Sequence, residues 1–157
     1  MENIKFSIVR DPIVLAKLNK PVQDQHFHMY PEFFKTYSED DCIAFFKRQL
    51  NRGNWVASVV QIDNENAGYI SYFIKEYKEN VFRKSYKSIY IDQISILKKF
   101  KGNGIGKKMM FKIEEDAKKL GIFEIELSFW ELNEEAKGFY EYLGYHTRSR
   151  IVGKTLS

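Results

Sequence analysis

A single cysteine, Cys42, in 157 residues leaves no partner for an internal disulfide. That absence fits a reducing, cytoplasmic setting. Histidine is nearly as scarce: His26 and His28 stand together, His146 is far away, and no cysteine or carboxylate triad completes a metal site around them. No apolar run approaches the ~18 residues that span a bilayer, and the opening Met1-Glu2-Asn3-Ile4-Lys5 has no signal-peptide core. Repeats, low-complexity tracts and linkers are missing too. What is present is a hydrophobic content of 44% and an aromatic content of 16%, too apolar for a disordered chain. The length suits one domain over residues 1–157 with a core of its own. The net charge of +4 is modest, but Lys98, Lys99, Lys101, Lys107, Lys108 and Lys112 gather in one stretch. Such a cluster suits an acidic small ligand better than a general nucleic-acid surface.

Periodicity and caps give a coarse order of elements. Ile4 to Val9 alternates as a strand, and Asp11-Pro12 is a helix start whose apolar face is Ile13, Val14, Leu15 and Leu18. Pro21 is expected to interrupt or kink that helix, and Pro31 to stop any helical continuation. Ser38-Glu39-Asp40-Asp41 opens a helix through Leu50, with acidic residues favouring its first turn. Trp55 to Ile62 and Gly68 to Ile74 read as strands joined by a turn over Asp63-Asn64-Glu65-Asn66, and residues 75–87 as a long polar excursion. Phe123 to Trp130 and His146 to Leu156 read as further strands. Antiparallel strands followed by strand–helix–strand–helix–strand make an α+β fold with one mixed sheet.

The most informative segment is Lys101-Gly102-Asn103-Gly104-Ile105-Gly106, between the β-type run Ile89–Ile96 and a helical pattern from Lys107 to Leu120. Strand, glycine loop and helix form an anion-binding arrangement: glycine allows close backbone approach, and free N–H groups with the helix dipole attract phosphate. A P-loop is excluded because no hydroxyl follows Lys107 or Lys108, and a dinucleotide fingerprint because glycines at 102, 104 and 106 have the wrong spacing.

The spacing that fits is Arg/Gln-x-x-Gly-x-Gly/Ala, with Lys101 first, Gly104 fourth and Gly106 sixth, and it resembles the pyrophosphate loop of the GNAT superfamily of acyl-CoA-dependent N-acyltransferases. Lys101 departs from the usual Arg or Gln and gives up the planar fork of an arginine. A second block, Asn133-Glu134-Glu135-Ala136-Lys137-Gly138-Phe139-Tyr140 followed by Gly144-Tyr145, looks like that family's downstream motif. The resemblance covers Gly68 to Tyr145, about half of the chain. It implies a mostly antiparallel sheet flanked by helices, splayed at its central parallel strands. It also implies acetyl-CoA as co-substrate, with contacts from Ile94, Ser95, Ile96, Lys101, Gly102, Asn103, Gly104, Ile105, Gly106, Lys107 and Asn133.

Acyl transfer to an amine needs a polarised thioester carbonyl, a neutral amine and a protonated leaving thiolate. By resemblance, main-chain groups at Ile94 and Ile96 meet pantetheine and carbonyl, and Tyr140 is the general acid at the CoA sulfur. Lys107 and Lys108 either contact phosphate or line a solvated helix face, and Asn133 either caps its helix, holds the pantetheine arm, or both. Asp92 is the candidate base. Simple alternation puts Tyr90, Asp92, Ile94 and Ile96 on one face and Ile91, Gln93 and Ser95 on the other, so Asp92 would be a carboxylate among apolar neighbours, costly unless paired or functional. A structural ion pair with a lysine is the alternative. Cys42 lies in a first helical turn, where a thiol pKa falls, but no Cys–His pair surrounds it. Phe27, Tyr30, Phe33, Phe34 and Tyr37 are either core or part of an acceptor wall.

These readings converge on an N-acetyltransferase acting on a primary amine in a ternary complex, with a homodimer through His146–Leu156 as its assembly and neither membrane nor metal involved. A catalytically silent acyl-CoA-binding module is the alternative. A nucleic-acid-binding domain would need a basic stripe interleaved with aromatics, which residues 75–88 only faintly suggest.

Overall fold

The computed structural model describes residues 3–157. Its elements are β1 (Ile4–Ile8), α1 (Pro12–Met29), α2 (Glu39–Leu50), β2 (Trp55–Ile62), β3 (Glu65–Tyr77), β4 (Tyr86–Ile96), α3 (Ile105–Lys119), β5 (Ile125–Glu126) and α4 (Glu134–Tyr142). The five strands lie in chain order in one sheet, antiparallel throughout except that β4 and β5 run parallel. The α+β architecture with a mixed sheet is therefore present as the sequence suggests.

The helix starts follow their caps. The Asp11 carboxylate accepts from the Ile13 N–H at 2.9 Å, the Ser38 hydroxyl from the Asp41 N–H at 3.3 Å, and the Asn133 side chain from the Ala136 N–H at 3.1 Å. Pro21 does not interrupt α1, which runs on to Met29. The proline forfeits one hydrogen bond, to the Lys17 carbonyl. Lys17 is exposed, so solvent can take the freed oxygen.

The sheet separates two apolar layers. On one side α3 and α4 bury Val60, Ile70, Ile89, Ile91, Met109, Met110 and Ile113; on the other α1 and α2 bury Leu15, Leu18, Phe46, Val59 and Tyr69. Each such side chain contributes about 1.5–3 kcal/mol on leaving water. The helix faces repeat accordingly, with Ile105, Met109, Ile113 and Ala117 spaced by four.

Several expected boundaries shift. The β2–β3 turn contains only Asp63 and Asn64, at φ 49° and 68°, a two-residue turn whose left-handed backbone matches the strand twist. Glu65 and Asn66 already pair with Ile62 and Gln61. The excursion between β3 and β4 is shorter than 75–87, because the strands stay paired to Tyr77↔Tyr86, whose rings stack at 4.2 Å. The strand expected over Phe123–Trp130 pairs only at Ile125 and Glu126. His146–Leu156 is not a strand at all: residues 146–157 carry no regular structure, and Ile151, Val152 and Leu156 stand exposed.

The face assignment within β4 is also corrected. Gln93 pairs with Ser71 and Ile91 with Tyr72, so Asp92 is an extra residue, a β-bulge. Beyond it the alternation is reset. Ile89, Ile91, Ile94 and Ile96 all meet the α3/α4 layer, whereas Gln93 and Ser95 bond to Tyr69 and to the Leu18 carbonyl on the α1 side.

Candidate active site

The sheet opens between β4 and β5. Their parallel pairing consists of Ile89↔Ile125 and Tyr90↔Glu126, and among the described residues no backbone hydrogen bond joins Ile91–Ile96 to the chain after Glu126. The departing segment is anchored on both faces. Leu127 and Phe129 pack into the α3/α4 layer, with Phe129 stacked on Tyr140 at 5.9 Å. On the opposite face the Tyr90 hydroxyl donates to Ser128 Oγ at 3.1 Å. A wedge lined by unpaired main chain results. On its other edge β4 is drawn tightly to β3: a Cβ at Gly68 would lie 2.3 Å from the Ser95 carbonyl oxygen. Only glycine fits there.

The glycine loop lies at the same end. Gly104 is the N-cap of α3 at φ 72°, a left-handed conformation that side chains disfavour. The first helical hydrogen bond is Lys108 N–H to the Gly104 carbonyl at 3.2 Å. Among the described residues the N–H groups of Ile105, Gly106 and Lys107 have no acceptor, so three donors and the positive end of a 15-residue helix face outward together. Gly102 and Asn103 are exposed beside them. Lys101 Nζ lies 3.2 Å from Glu135 Oε1, and Lys107 Nζ sits over the rings of Phe111 and Tyr142 at 5.5 and 5.4 Å. A Cβ on Gly106 would lie 3.1 Å from Phe139 Cζ and 3.4 Å from Ile96 Cδ1. Gly106 thus joins the end of β4, the start of α3 and α4 in one contact, which sets Tyr140 beside the wedge.

Tyr140 is 6% exposed and lies among Phe129, Phe139 and Tyr145. Its hydroxyl has no hydrogen-bond partner among the described residues, and burial pushes its pKa up to about 12. Tyr145 is committed elsewhere, donating to Glu114 Oε1 at 3.2 Å.

Asp92 is exposed at the bulge, not a buried carboxylate among isoleucines as strict alternation suggested. Trp55 Nε1 donates to its Oδ2 at 3.0 Å, and its ion pair with a lysine is not formed among the described residues. Ser95 turns its hydroxyl away from the wedge, to the Leu18 carbonyl, and its main chain faces Tyr69 of β3, in step with the Leu97 N–H bond to Ala67. The main chain turned toward the wedge is that of Ile94 and Ile96. Behind the bulge is a buried polar chain that sequence reasoning missed. Asn19 Nδ2 donates to the Tyr69 hydroxyl at 2.9 Å, and Tyr69 donates to Gln93 Oε1. Asn19, a polar residue on the apolar stripe of α1, was its only signal. Burial pushes the Cys42 thiol up, reinforced by Asp41, opposite to the fall expected at a helix start.

The aromatic residues after α1 divide. Tyr30, Phe33 and Phe34 surround Trp130, whereas Tyr37 donates its hydroxyl to the Ala16 carbonyl at 2.8 Å. Trp130 itself was read only as the end of a strand. Among the described residues no group of three or more His, Cys, Asp or Glu side chains is placed to hold a metal, and no helix is long and apolar enough to cross a membrane. A surface depression bordered by Glu76, Lys87, Gly121 and Phe123 lies at the far end of β4 and α3 from these groups.

A splayed parallel pair beside a glycine loop with free amides defines a class, and comparison with known proteins agrees. The acetyltransferase (GNAT) family matches over residues 20–145. This chain belongs to that family. It is similar, at 26% identity over 121 residues (71% of this chain and 69% of the relative), to the uncharacterized N-acetyltransferase of the pepI 3' region in Lactobacillus delbrueckii subsp. lactis. Its fold matches that of a tetramutant of the BH1408 protein from Bacillus halodurans, with a TM-score of 0.89 at 21% identity, covering 98% of this chain and 99% of that one. It also matches a predicted acetyltransferase from Clostridium acetobutylicum in complex with acetyl-CoA, with a TM-score of 0.69 at 16% identity, covering 99% and 96%.

Proposed function

We propose that this protein transfers an acetyl group from acetyl-CoA to a primary amine, by direct attack of the amine on the thioester while both are bound. The observation that carries the proposal is the contact of Gly106 with Ile96 and Phe139. It brings three features to one end of the sheet: an anion-binding helix start, a strand edge with unpaired main chain, and a protonated phenol. The amides of Ile105, Gly106 and Lys107 suit a pyrophosphate, with Lys101, Gly102, Asn103 and Gly104 shaping the loop. The free main chain of Ile94 and Ile96, on either side of Ser95, suits the amide groups of a pantetheine arm, and Asn133, at the start of α4, is a further candidate contact.

The transfer conserves atoms and charge. The amine nitrogen forms a bond to the thioester carbonyl carbon, and the carbon–sulfur bond breaks with its electron pair going to sulfur. Asp92, directly or through water, receives the proton that the amine loses. Tyr140, protonated across the neutral range, passes its proton to the sulfur as charge builds there and is reprotonated from solvent, to which Asp92 returns the amine's proton. The proton released by the amine balances the one that the thiol gains. Acetyl-CoA-dependent thiol release, measured against a panel of primary amines, tests the proposal. No release with any amine, despite CoA binding, would make the protein a silent CoA-binding module instead. The single thiol, Cys42, agrees with a cytoplasmic setting for such an enzyme.

We further propose a homodimer. Residues 146–157 extend from the domain with Ile151, Val152 and Leu156 in solvent, and β5 is an outer strand paired on one side only. An exposed apolar arm and an open strand edge are complementary between two copies. Light scattering should give twice the chain mass, reduced to one chain by replacing Ile151 and Val152 with aspartate. A monomer before substitution refutes the assembly.

A further inference from the structure

At the splayed end, the face of the sheet that carries Asp92 opens onto aromatic rings that the core does not use. The Trp130 ring centroid lies 4.7 Å from Tyr30, 5.6 Å from Phe33 and 5.0 Å from Phe34. The Leu132 N–H donates to the Tyr30 hydroxyl at 2.8 Å, which latches the segment after α1 to the segment after β5. None of the four rings is buried: Trp130 remains 40% and Phe33 64% exposed. Rings held together yet kept in solvent signal a binding surface, because packing alone would have taken them into the core.

The position of the cluster says what it would bind. Ser128, two residues before Trp130, meets the hydroxyl of Tyr90, and Asp92 follows Tyr90 at the bulge on this same side. The side chain of Asp92 offers one free oxygen, Oδ1, since Trp55 occupies the other. The rings bring no charge of their own. His26, stacked on Phe34 at 4.8 Å, has its pKa lowered by burial and is neutral at pH 7. Glu32 and Glu131 flank the cluster in sequence and make no ion pair among the described residues. The free Asp92 oxygen beside a wall of aromatic rings is complementary to an ammonium carried on a flat apolar body, and Glu32 and Glu131 add to the attraction for a cation.

We infer that the acceptor is an arylalkylamine, a primary amine on a short chain that ends in an aromatic ring, with the ring against Trp130 and Phe33 and the amine at Asp92. This deepens the acetyltransferase reading and rests on it. The test compares kcat/KM at saturating acetyl-CoA for phenethylamine and tyramine with that for hexylamine, spermidine and an aminoglycoside. The arylalkylamines should lead hexylamine by about tenfold, the scale of one aromatic stacking contact. Trp130→Ala should raise KM for phenethylamine by about tenfold, with little change in kcat and a smaller rise for hexylamine, which lacks a ring to stack. Phe33→Ala, at a site too exposed to threaten folding, should act in the same direction. Binding is read separately, as quenching of tryptophan fluorescence by phenethylamine in the presence of CoA; Trp130→Ala keeps Trp55, beside Asp92, as reporter, and its titration midpoint should rise by about tenfold.

Preference for hexylamine or spermidine, or an equal effect of Trp130→Ala on all amines, overturns the inference and leaves the acetyltransferase reading standing. Quenching by phenethylamine with no thiol release from any amine supports the aromatic-amine site and refutes the acetyl transfer. Neither quenching nor release refutes both.

Discussion

Replacing Tyr140 by phenylalanine separates chemistry from packing in this site. The ring is 6% exposed and rests on Phe129, Phe139 and Tyr145, and phenylalanine keeps all three contacts. The hydroxyl has no hydrogen-bond partner among the described residues, so its removal breaks no bond and spares the partial desolvation of a polar group. Stability should hold or rise by up to about 1 kcal/mol, which for a chain of this size moves Tm by about 2–4 °C. Affinity for acetyl-CoA should be unchanged. Turnover should fall by about 10²–10⁴-fold, equivalent to about 2.7–5.5 kcal/mol of transition-state stabilisation, and the loss should fall on kcat, since charge on sulfur exists only in the transition state. Burial raises the phenol to about 12, so the wild-type rate should show no alkaline limb from Tyr140 below about pH 10. The linkage sign is fixed by the same shift: stability from the buried neutral phenol is complete below the unfolded value near 10 and is lost as pH rises through the folded value of about 12. Tyr140→Phe should remove that loss. The assay is single-turnover thiol release, beside titration of acetyl-CoA binding and thermal melting. Near-normal release in a variant with intact binding, where chemistry limits the rate, refutes the role of the hydroxyl and leaves Tyr140 a packing residue.

Gly104→Val places a β-branched residue at φ 72°, which costs about 1–2 kcal/mol and puts a side chain at the mouth of the three free amides. Acetyl-CoA binding by calorimetry should be lost while the circular dichroism spectrum is kept, and wild-type affinity would refute the loop's role. Gly68→Ala sets a Cβ 2.3 Å from the Ser95 carbonyl oxygen, which backbone cannot accommodate without β3 and β4 moving apart; melting should drop by several degrees, and an unchanged Tm refutes the tight approach. Asp92→Asn retains an oxygen for Trp55 Nε1, so the fold should be undisturbed. Its activity should be low at pH 7 and largely recovered near pH 10, where the amine deprotonates unaided, whereas a wild-type-like pH profile removes Asp92 as base.

What was legible in the chain was whatever depends on local chemistry. Asp11, Ser38 and Asn133 cap helices because their side chains reach amides two or three residues on, and the glycine loop is readable because Gly104 needs a conformation that other residues avoid. Long-range pairing was not legible. Ile89 to Ile96 alternates apolar and polar residues in a way that a straight strand satisfies, and nothing local marks Asp92 as the extra residue against Ser71 and Tyr72. Phe123–Trp130 has strand composition, but pairing beyond Glu126 would close the wedge. The β-like pattern of His146–Leu156 reports a local propensity, which no strand among the described residues completes by pairing. The cluster around Trp130 joins residues 30–34 to 130–132, a contact that only the folded chain brings together.

The bulge gives these differences a single consequence. In a regular β4, Asp92, Ile94 and Ile96 would share one face, and the candidate base would lie on the same side of the sheet as the apolar layer of α3 and α4. The extra residue lets Ile94 and Ile96 stay in that layer, against Gly106, while Asp92 reaches Trp55 on the opposite side. The buried chain from Asn19 through Tyr69 to Gln93 ties the first residue after the bulge to α1 and so opposes a slip back into register. One inserted residue therefore separates the side proposed for CoA from the side proposed for the amine. In the proposed reaction acetyl-CoA would bring its thioester into the wedge from one face, and the amine would attack it from the other.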